Sequence, residues 1–343
     1  MGDLKFGTRD KRGNWAPNEP LDIAPFWTGK FDMLGEFARA YLWPWNAFHM
    51  AMTLASWFLL IQPNLALFQT FSLAGFALLL AAKAVCIFAM YGSIELFFYV
   101  RRKQDNRFKY NAKFPSENPS DVFWFKSQNL DNFVRSMFMS VPIWTVIEVI
   151  FLYCFANVIH AFGWLRWEDS WVDLVVLTLI TPMIHEVHFF CIHWLIHQQP
   201  LYKWVHSVHH NSINPSPWSS LSMHPVEGLL YFGTVALHLA LYSHPFLVLW
   251  RFNLAAFAAI VGRIGFDLLE VGKGRAIESH AYAHYLHHKY FEVNYCDDGV
   301  LPWDRWFGTW HDGSKEADEE MKARFRVKRE KLRAKGTGGA TSP

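Results

Sequence analysis

The sequence predicts an all-α integral membrane protein with about four transmembrane helices, a re-entrant or interfacial apolar hairpin, and a cytosolic cap rich in metal-binding histidines. Hydrophobic residues make up 52% of the 343 positions, with 31 Phe and 17 Trp, while Asp, Glu, Lys and Arg together reach 18%. A chain of this size and apolarity cannot cover itself with charge as an ordinary soluble domain does. Most of its 17 histidines lie between His185 and His288, several at helix-turn spacing beside apolar runs. That density points to a multinuclear metal centre at a membrane surface.

The first 44 residues form a polar, Pro-containing segment without the basic start, apolar core and cleavage site of a secretory signal, so insertion rests on internal helices. A first apolar run extends from Trp45 to Ile61 and is interrupted by Gln62-Pro63-Asn64. A second, from Leu65 to Val100, is long for one crossing and fits a tilted helix preceded by an interfacial piece. Arg101-Arg102-Lys103 opens a polar, net basic loop over residues 101–135. The third run, about Met137 to Phe162, contains Pro142 and Glu148, and the fourth runs from Trp171 to His197. Gly163 to Asp169, with Trp164, Trp167 and Glu168, reads as a turn at the far interface. Residues 45–170 are therefore expected to be membrane helices with a basic cytosolic loop.

Four crossings put the N-terminal segment, the 101–135 loop and the tail on the cytosolic side. The apolar stretch from Gly228 to Gly262 is broken by His244-Pro245 into short pieces that suit a hairpin better than two full spans. Phe232, Trp250, Phe252 and Phe257 within it are expected mainly to pack, with tunnel lining as their other role. Arg263, Asp267 and Glu270 suggest an interfacial polar cluster. A tail over 313–343 carries eight basic residues from Lys322 to Lys335 against Glu330, a solvated or lipid-facing element. No aromatic or glycine-rich recognition module accompanies it, so nucleic-acid binding is not expected. Cys86, Cys154, Cys191 and Cys296 are scattered without CxxC spacing, and three of them lie in apolar stretches and read as small buried thiols.

Residues four apart on a helix share a face, so His193 and His197 reach the same region. His185 and His188 lie deeper on the same helix. His206, His209 and His210 supply donors at i, i+3 and i+4, and His284, His287 and His288 repeat the pattern. Eight imidazoles exceed the three or four protein ligands of one zinc site and match two ions. His224 and His280, the latter one turn before His284, are candidates for a ninth and tenth ligand, completing a metal set of His193, His197, His206, His209, His210, His224, His280, His284, His287 and His288. Neutral imidazoles suit iron, zinc, copper and nickel alike. His185-Glu186-Val187-His188 is followed by Phe189, so the HExxH peptidase helix is absent, as are CxxCH and GxGxxG. Reducing equivalents must then come from a separate protein.

HxxxH at His193/His197 and HxxHH at His206/His209/His210 and His284/His287/His288 resemble the histidine boxes of the membrane-bound fatty acid hydroxylase and sterol desaturase superfamily. Leu201-Tyr202-Lys203 before the second box, Asn294-Tyr295 after the third, and Asp304-Arg305-Trp306-Phe307-Gly308-Thr309, which is similar to the family's closing DxxFGT, extend the resemblance over about residues 170–312. It implies a catalytic domain at 171–312, two iron ions, O2 as co-substrate, and hydroxylation or desaturation of a sterol or fatty-acyl C–H bond. It further implies electrons from cytochrome b5 or a ferredoxin with its reductase, and a lipid drawn from the bilayer. Glu186, Glu227, Glu278 and Asp304 are the acids available to orient the second ring nitrogens. Ala283 before His284, and Trp194 after His193, depart from the pattern of many sterol-oxidising members. The competing class is a zinc-dependent membrane hydrolase or isomerase using the same cage. The location implied is the endoplasmic reticulum in a eukaryote or the cytoplasmic membrane in a bacterium, with the site on the cytosolic face.

Overall fold

The computed structural model describes residues 2–22, 35, 41–115, 119–166, 170–272, 274–297 and 299–337. Five helices among them are long and apolar enough to cross a membrane: α1 (Trp45–Phe68), α2 (Leu73–Val100), α3 (Gln128–Ala156), α4 (Trp171–Ile196) and α7 (Pro245–Arg263). The break expected at Gln62-Pro63-Asn64 is a kink within α1: Asn64, with φ −112° and ψ 15°, leaves the helical region, and a narrower turn then runs on to Phe68. Ser72 then starts α2 by accepting a hydrogen bond from the Gly75 amide at 3.0 Å. Ser127 caps α3 in the same way, about ten residues before the apolar run begins, and Pro142 sits where a fresh helical turn opens and lacks little by having no N–H. The turn residues Trp167 and Glu168 lie outside the described residues.

The stretch from 228 to 262 splits at His244-Pro245 as the sequence suggests, yet its second half is a full 19-residue helix rather than one arm of a short hairpin. His244 accepts from the Phe246 amide and Pro245 occupies the first turn, so the pair starts a helix instead of bending one. In α7, 83% of the most apolar window is buried inside the molecule, against 17–44% for the other four. It is the central post around which they stand. Phe232, Phe252 and Phe257 of this stretch pack with Trp144 in one cluster and are core rather than tunnel lining, whereas Tyr231 faces a cavity. Lys83 of α2 and Glu148 of α3 form a buried ion pair at 2.8 Å, which explains the acid in the third apolar run.

The cap covers one end of these helices. α5 (Tyr202–His206 continuing through Ser207–His210), α6 (Pro225–Gly233) and α8 (Tyr282–Tyr290) carry or flank the remaining histidines, and α9 (Lys315–Thr337) follows. The 101–115 segment is not a free basic loop. Phe108, Lys109 and Tyr110 are fully buried, and the Tyr110 amide donates to the Gly265 carbonyl. Gly265 has a φ of +79°, and a Cβ there would lie 2.3 Å from the Tyr99 hydroxyl, so only glycine lets the two segments meet. A hairpin of β1 (Gly7–Arg9) and β2 (Trp15–Pro17) docks Trp15 into the same aromatic cluster. The Arg263, Asp267, Glu270 cluster does not form: Asp267 accepts from Tyr110, Glu270 pairs with Arg107, and Arg263 points inward.

Candidate metal centre

Eight of the ten histidines expected to bind metal converge at the junction of the helices and the cap. Each offers a ring nitrogen, and those nitrogens form two groups, within each of which all lie within 4.8 Å of one another: His193, His197, His206, His210 and His287 in one, and His209, His284 and His288 in the other. The two HxxHH words are divided between them. In α5 the i, i+4 pair His206 and His210 enters the first group while His209 enters the second. In α8 the i, i+4 pair His284 and His288 enters the second while His287 crosses to the first. Successive residues on a helix are turned by about 100°, so one box can feed two centres, and the two boxes do so in opposite proportions.

His224 and His280 are not brought into either group. His224 spends its Nδ1 accepting from the Val226 amide at the start of α6. His280 has a left-handed backbone, φ 56°, and a half-exposed ring near Glu278, because α8 begins only at Tyr282 and the helical spacing does not extend back to it. His185 and His188 also stay outside both groups, deeper along α4.

Five of the outward nitrogens are held by acceptors, whereas those of His210 and His288 are buried without a partner. His193 Nδ1 donates to the Tyr295 carbonyl at 2.7 Å, His287 Nδ1 to the Val293 carbonyl at 2.6 Å and His209 Nδ1 to the Ser222 carbonyl at 3.2 Å. Two carboxylates do the same work, Glu227 for His206 and Asp297 for His284, each at 2.9 Å. A carbonyl can only accept, so the ring proton sits on Nδ1 and Nε2 presents a lone pair inward. Those Nε2 atoms face one another: His197 to His287 at 3.0 Å, His210 to His197 and to His206 at 3.1 Å, His287 to His210 at 3.2 Å, and His288 to His284 at 3.1 Å. Two facing lone pairs do not hydrogen-bond, and one shared proton satisfies only one of the contacts. A cation in each group satisfies them all, so the donor set fits metal.

Electrostatics agree. Burial, and then the neighbouring imidazoles, hold His206, His210 and His287 well below the ordinary histidine range. His209 and His288 are lowered by burial and next by the Arg263 guanidinium, and burial takes His197 down to about 2. All are neutral at physiological pH, the form that ligates metal. Burial pushes Glu227 up, with Arg263 opposing. Glu227 meets His206 Nδ1 at 2.9 Å, and a metal on Nε2 would leave the ring proton on Nδ1 for Glu227 to accept.

Of the acids proposed to orient histidines, only Glu227 does so directly. Glu186 instead accepts from the Val300 and Leu301 amides at 2.9 and 2.8 Å. Asp304 accepts from the Tyr295 and Cys296 amides and the Thr309 hydroxyl, so it anchors the loop whose Tyr295 carbonyl holds His193; burial raises its carboxyl to about 6. Glu278 lies out by His280. Asp297 and Arg263 are the residues the sequence reading missed in these roles. Asp297 follows the quoted Asn294-Tyr295 closely enough to have been suspected; nothing local marks Arg263, which donates to the Ser212 carbonyl and Ser219 hydroxyl.

A cavity of about 250 Å³ adjoins the centre, with His193, His206, His209 and His284 in its wall. From there it follows α4 past Ile192 and Phe189 to His185 and Pro182, with Leu254 and Ala258 of α7 opposite.

Residues 178–309 match the model of the fatty acid hydroxylase family. The chain is 29% identical over 214 residues to a Delta(7)-sterol 5(6)-desaturase of Gibberella zeae, covering 60% of this chain and 64% of that one. It is 24% identical over 169 residues to methylsterol monooxygenase 1 of Gallus gallus, covering 48% and 56%, and 30% identical over 147 residues to a Delta(7)-sterol 5(6)-desaturase of Leptosphaeria maculans, covering 40% and 37%. The matches thus span about two thirds or less of the length of these curated relatives. No solved structure matches the chain. With the ordered boxes folded into two buried histidine groups at the end of a set of apolar helices, residues 178–309 form a histidine-box region similar to the fatty acid hydroxylase family.

Proposed function

We propose that the protein is a membrane-bound diiron oxygenase that uses O2 and external electrons to hydroxylate or desaturate a C–H bond of a sterol or fatty-acyl lipid. The observation that carries this is the joining of two inward-facing sets of imidazole nitrogens to a cavity walled by membrane helices. Two bound irons would supply oxygen activation, chemistry that no side chain here provides. His193, His197, His206, His210 and His287 would hold one ion, and His209, His284 and His288 the other. Glu227 and Asp297 keep protons on the outward nitrogens, so the ligands stay neutral and correctly turned. The apolar wall formed by Ile192, Phe189, Leu254 and Ala258 excludes water and admits a hydrocarbon segment.

The names of the relatives, sterol desaturases and a methylsterol monooxygenase, support a lipid substrate. We place the catalytic unit at 171–312 and the substrate's entry from the bilayer, beside α7. Electrons are proposed to arrive from a separate carrier of the cytochrome b5 or ferredoxin type with its reductase, since the chain has no nucleotide motif. The basic segments support a cytosolic site, on the endoplasmic reticulum in a eukaryote or the cytoplasmic membrane in a bacterium. Metal analysis of gently purified protein, with Mössbauer spectra of iron-57-grown material, tests the proposal: near two coupled irons per chain and O2-dependent lipid oxidation are expected. Stoichiometric zinc with activity indifferent to O2 would overturn it in favour of a hydrolase or isomerase.

A further inference from the structure

Away from the metal groups, α4 and α7 enclose a second polar cluster. The two helices run side by side toward the histidine end, joined by a hydrogen bond from Trp250 Nε1 to the Thr178 carbonyl at 3.1 Å. Arg251 of α7 is fully buried. It donates through Nη2 to the Thr234 hydroxyl, while its Nε and Nη1 have no hydrogen-bond partner. No carboxylate pairs with it among the described residues. His185 and His188 of α4 lie within the electrostatic reach of the Arg251 guanidinium, and each has a buried Nδ1 without a partner. His238, also in its field, has a buried Nε2 without one.

An unpaired buried cation surrounded by unsatisfied donors and acceptors is costly in a helix interior unless something neutralises it. Lys83 shows the alternative in this same molecule, because its charge is met by Glu148 at 2.8 Å. Arg251 has no such partner; the cavity from the metal centre reaches His185, and Arg251 and His188 lie behind its wall. We propose that Arg251, with His185 and His188, binds the carboxylate end of an amphipathic lipid whose hydrocarbon part runs along α4 to the histidine groups. A guanidinium with two free donor nitrogens is the complement of a carboxylate, and neutral imidazoles accept or donate as the headgroup requires.

The spacing has a chemical meaning. His185 precedes His193 by eight residues, a rise of about 12 Å along the helix axis. The carbon presented to the metal centre is then many bonds away from the carboxylate, not adjacent to it. A long-chain fatty acid meets this requirement, and so does a sterol-type acid with its carboxylate at the end of the side chain. The substrate role rests on the proposed oxygenase function, but binding does not require turnover.

The test uses the full-length protein in detergent, with dibrominated stearate as the ligand, its methyl ester as the neutral control, and quenching of tryptophan fluorescence as the readout. The acid is expected to bind at least about tenfold more tightly than the ester, as the loss of a charged hydrogen bond implies. Arg251→Met should abolish that preference without changing metal content, and Arg251→Lys should keep part of it. His185→Phe, which reads the cavity side of the site if Arg251→Met does not fold, should weaken the acid and leave the ester unchanged. Displacement by oleate or by a sterol bearing a side-chain carboxylate tells the two sources apart. Equal binding of acid and ester by the unaltered protein, or an undiminished preference in a folded Arg251→Met, overturns the proposal. Retained acid preference in a protein that oxidises no lipid would remove the oxygenase function alone.

Discussion

The two histidine groups are built from the same words but are not equivalent. The first draws five imidazoles from all three boxes, two of whose outward nitrogens meet carbonyls and one a carboxylate. The second has three imidazoles, one of whose outward nitrogens meets a carbonyl and one a carboxylate; each group keeps one buried Nδ1 without a partner, on His210 and on His288, and the Arg263 guanidinium acts on the second. A nearby positive charge opposes a cation, and fewer donors hold it less firmly. Asp297 and Glu227 offset part of that repulsion. The difference teaches that ligand spacing sets how many ions fit, whereas the outer partners and the charge around them set how tightly each is held.

Breaking the first group should have the largest effect. His287→Ala removes the imidazole that links α8 to both His197 and His210, and is expected to abolish activity and to lower metal content by at least one ion per chain, measured by metal analysis beside circular dichroism. His288→Ala should leave the first group loaded and take only the second ion, giving a stoichiometry near one. A loss of both ions would show that the groups fill as a unit.

Substituting the outer carboxylates sharpens the comparison. Glu227→Gln and Asp297→Asn are each expected to weaken metal retention by about 10–100-fold, the first at the five-histidine group and the second at the three-histidine group, in chelator competition followed by iron analysis. Acid should discriminate as well. Unfolded histidines take up protons as pH falls through about 6.5, whereas the folded imidazoles outside the spans are held lower and do not. The unfolded state therefore binds more protons, and stability of the metal-free protein is flat above pH 6.5 and declines below it, in thermal melts taken across that range. The smallest effect belongs to His224→Ala and His280→Ala, which should leave metal content unchanged.

The boxes were legible because ligand spacing on a helix is local: i, i+3 and i+4 relationships survive whatever surrounds the helix. What crosses between helices was not. The exchange of His209 and His287 between groups depends on how α5 faces α8, and no word in either segment records that. His280 was misplaced because the helical repeat was carried one turn past the point where α8 starts. The apolar runs gave the first four long helices closely. For α7, the Pro that marked a break in sequence proved to mark a beginning, since its neighbours supply the packing that a lone 19-residue segment lacks. Carbonyl acceptors such as those of Val293 and Tyr295 carry no side-chain signal at all.

The order of the chain gives one of these details a further meaning. The groups that turn His193, His284 and His287 inward come from residues 293–297, after the last histidine of either group, and Asp304 and Thr309 then secure that loop. During synthesis the first five imidazoles of the cage emerge long before the segment that orients it. A nascent chain halted short of residue 309 would hold most of its donors yet lack contacts that aim three of them, so metal capture would await the 293–309 segment rather than the arrival of any single box.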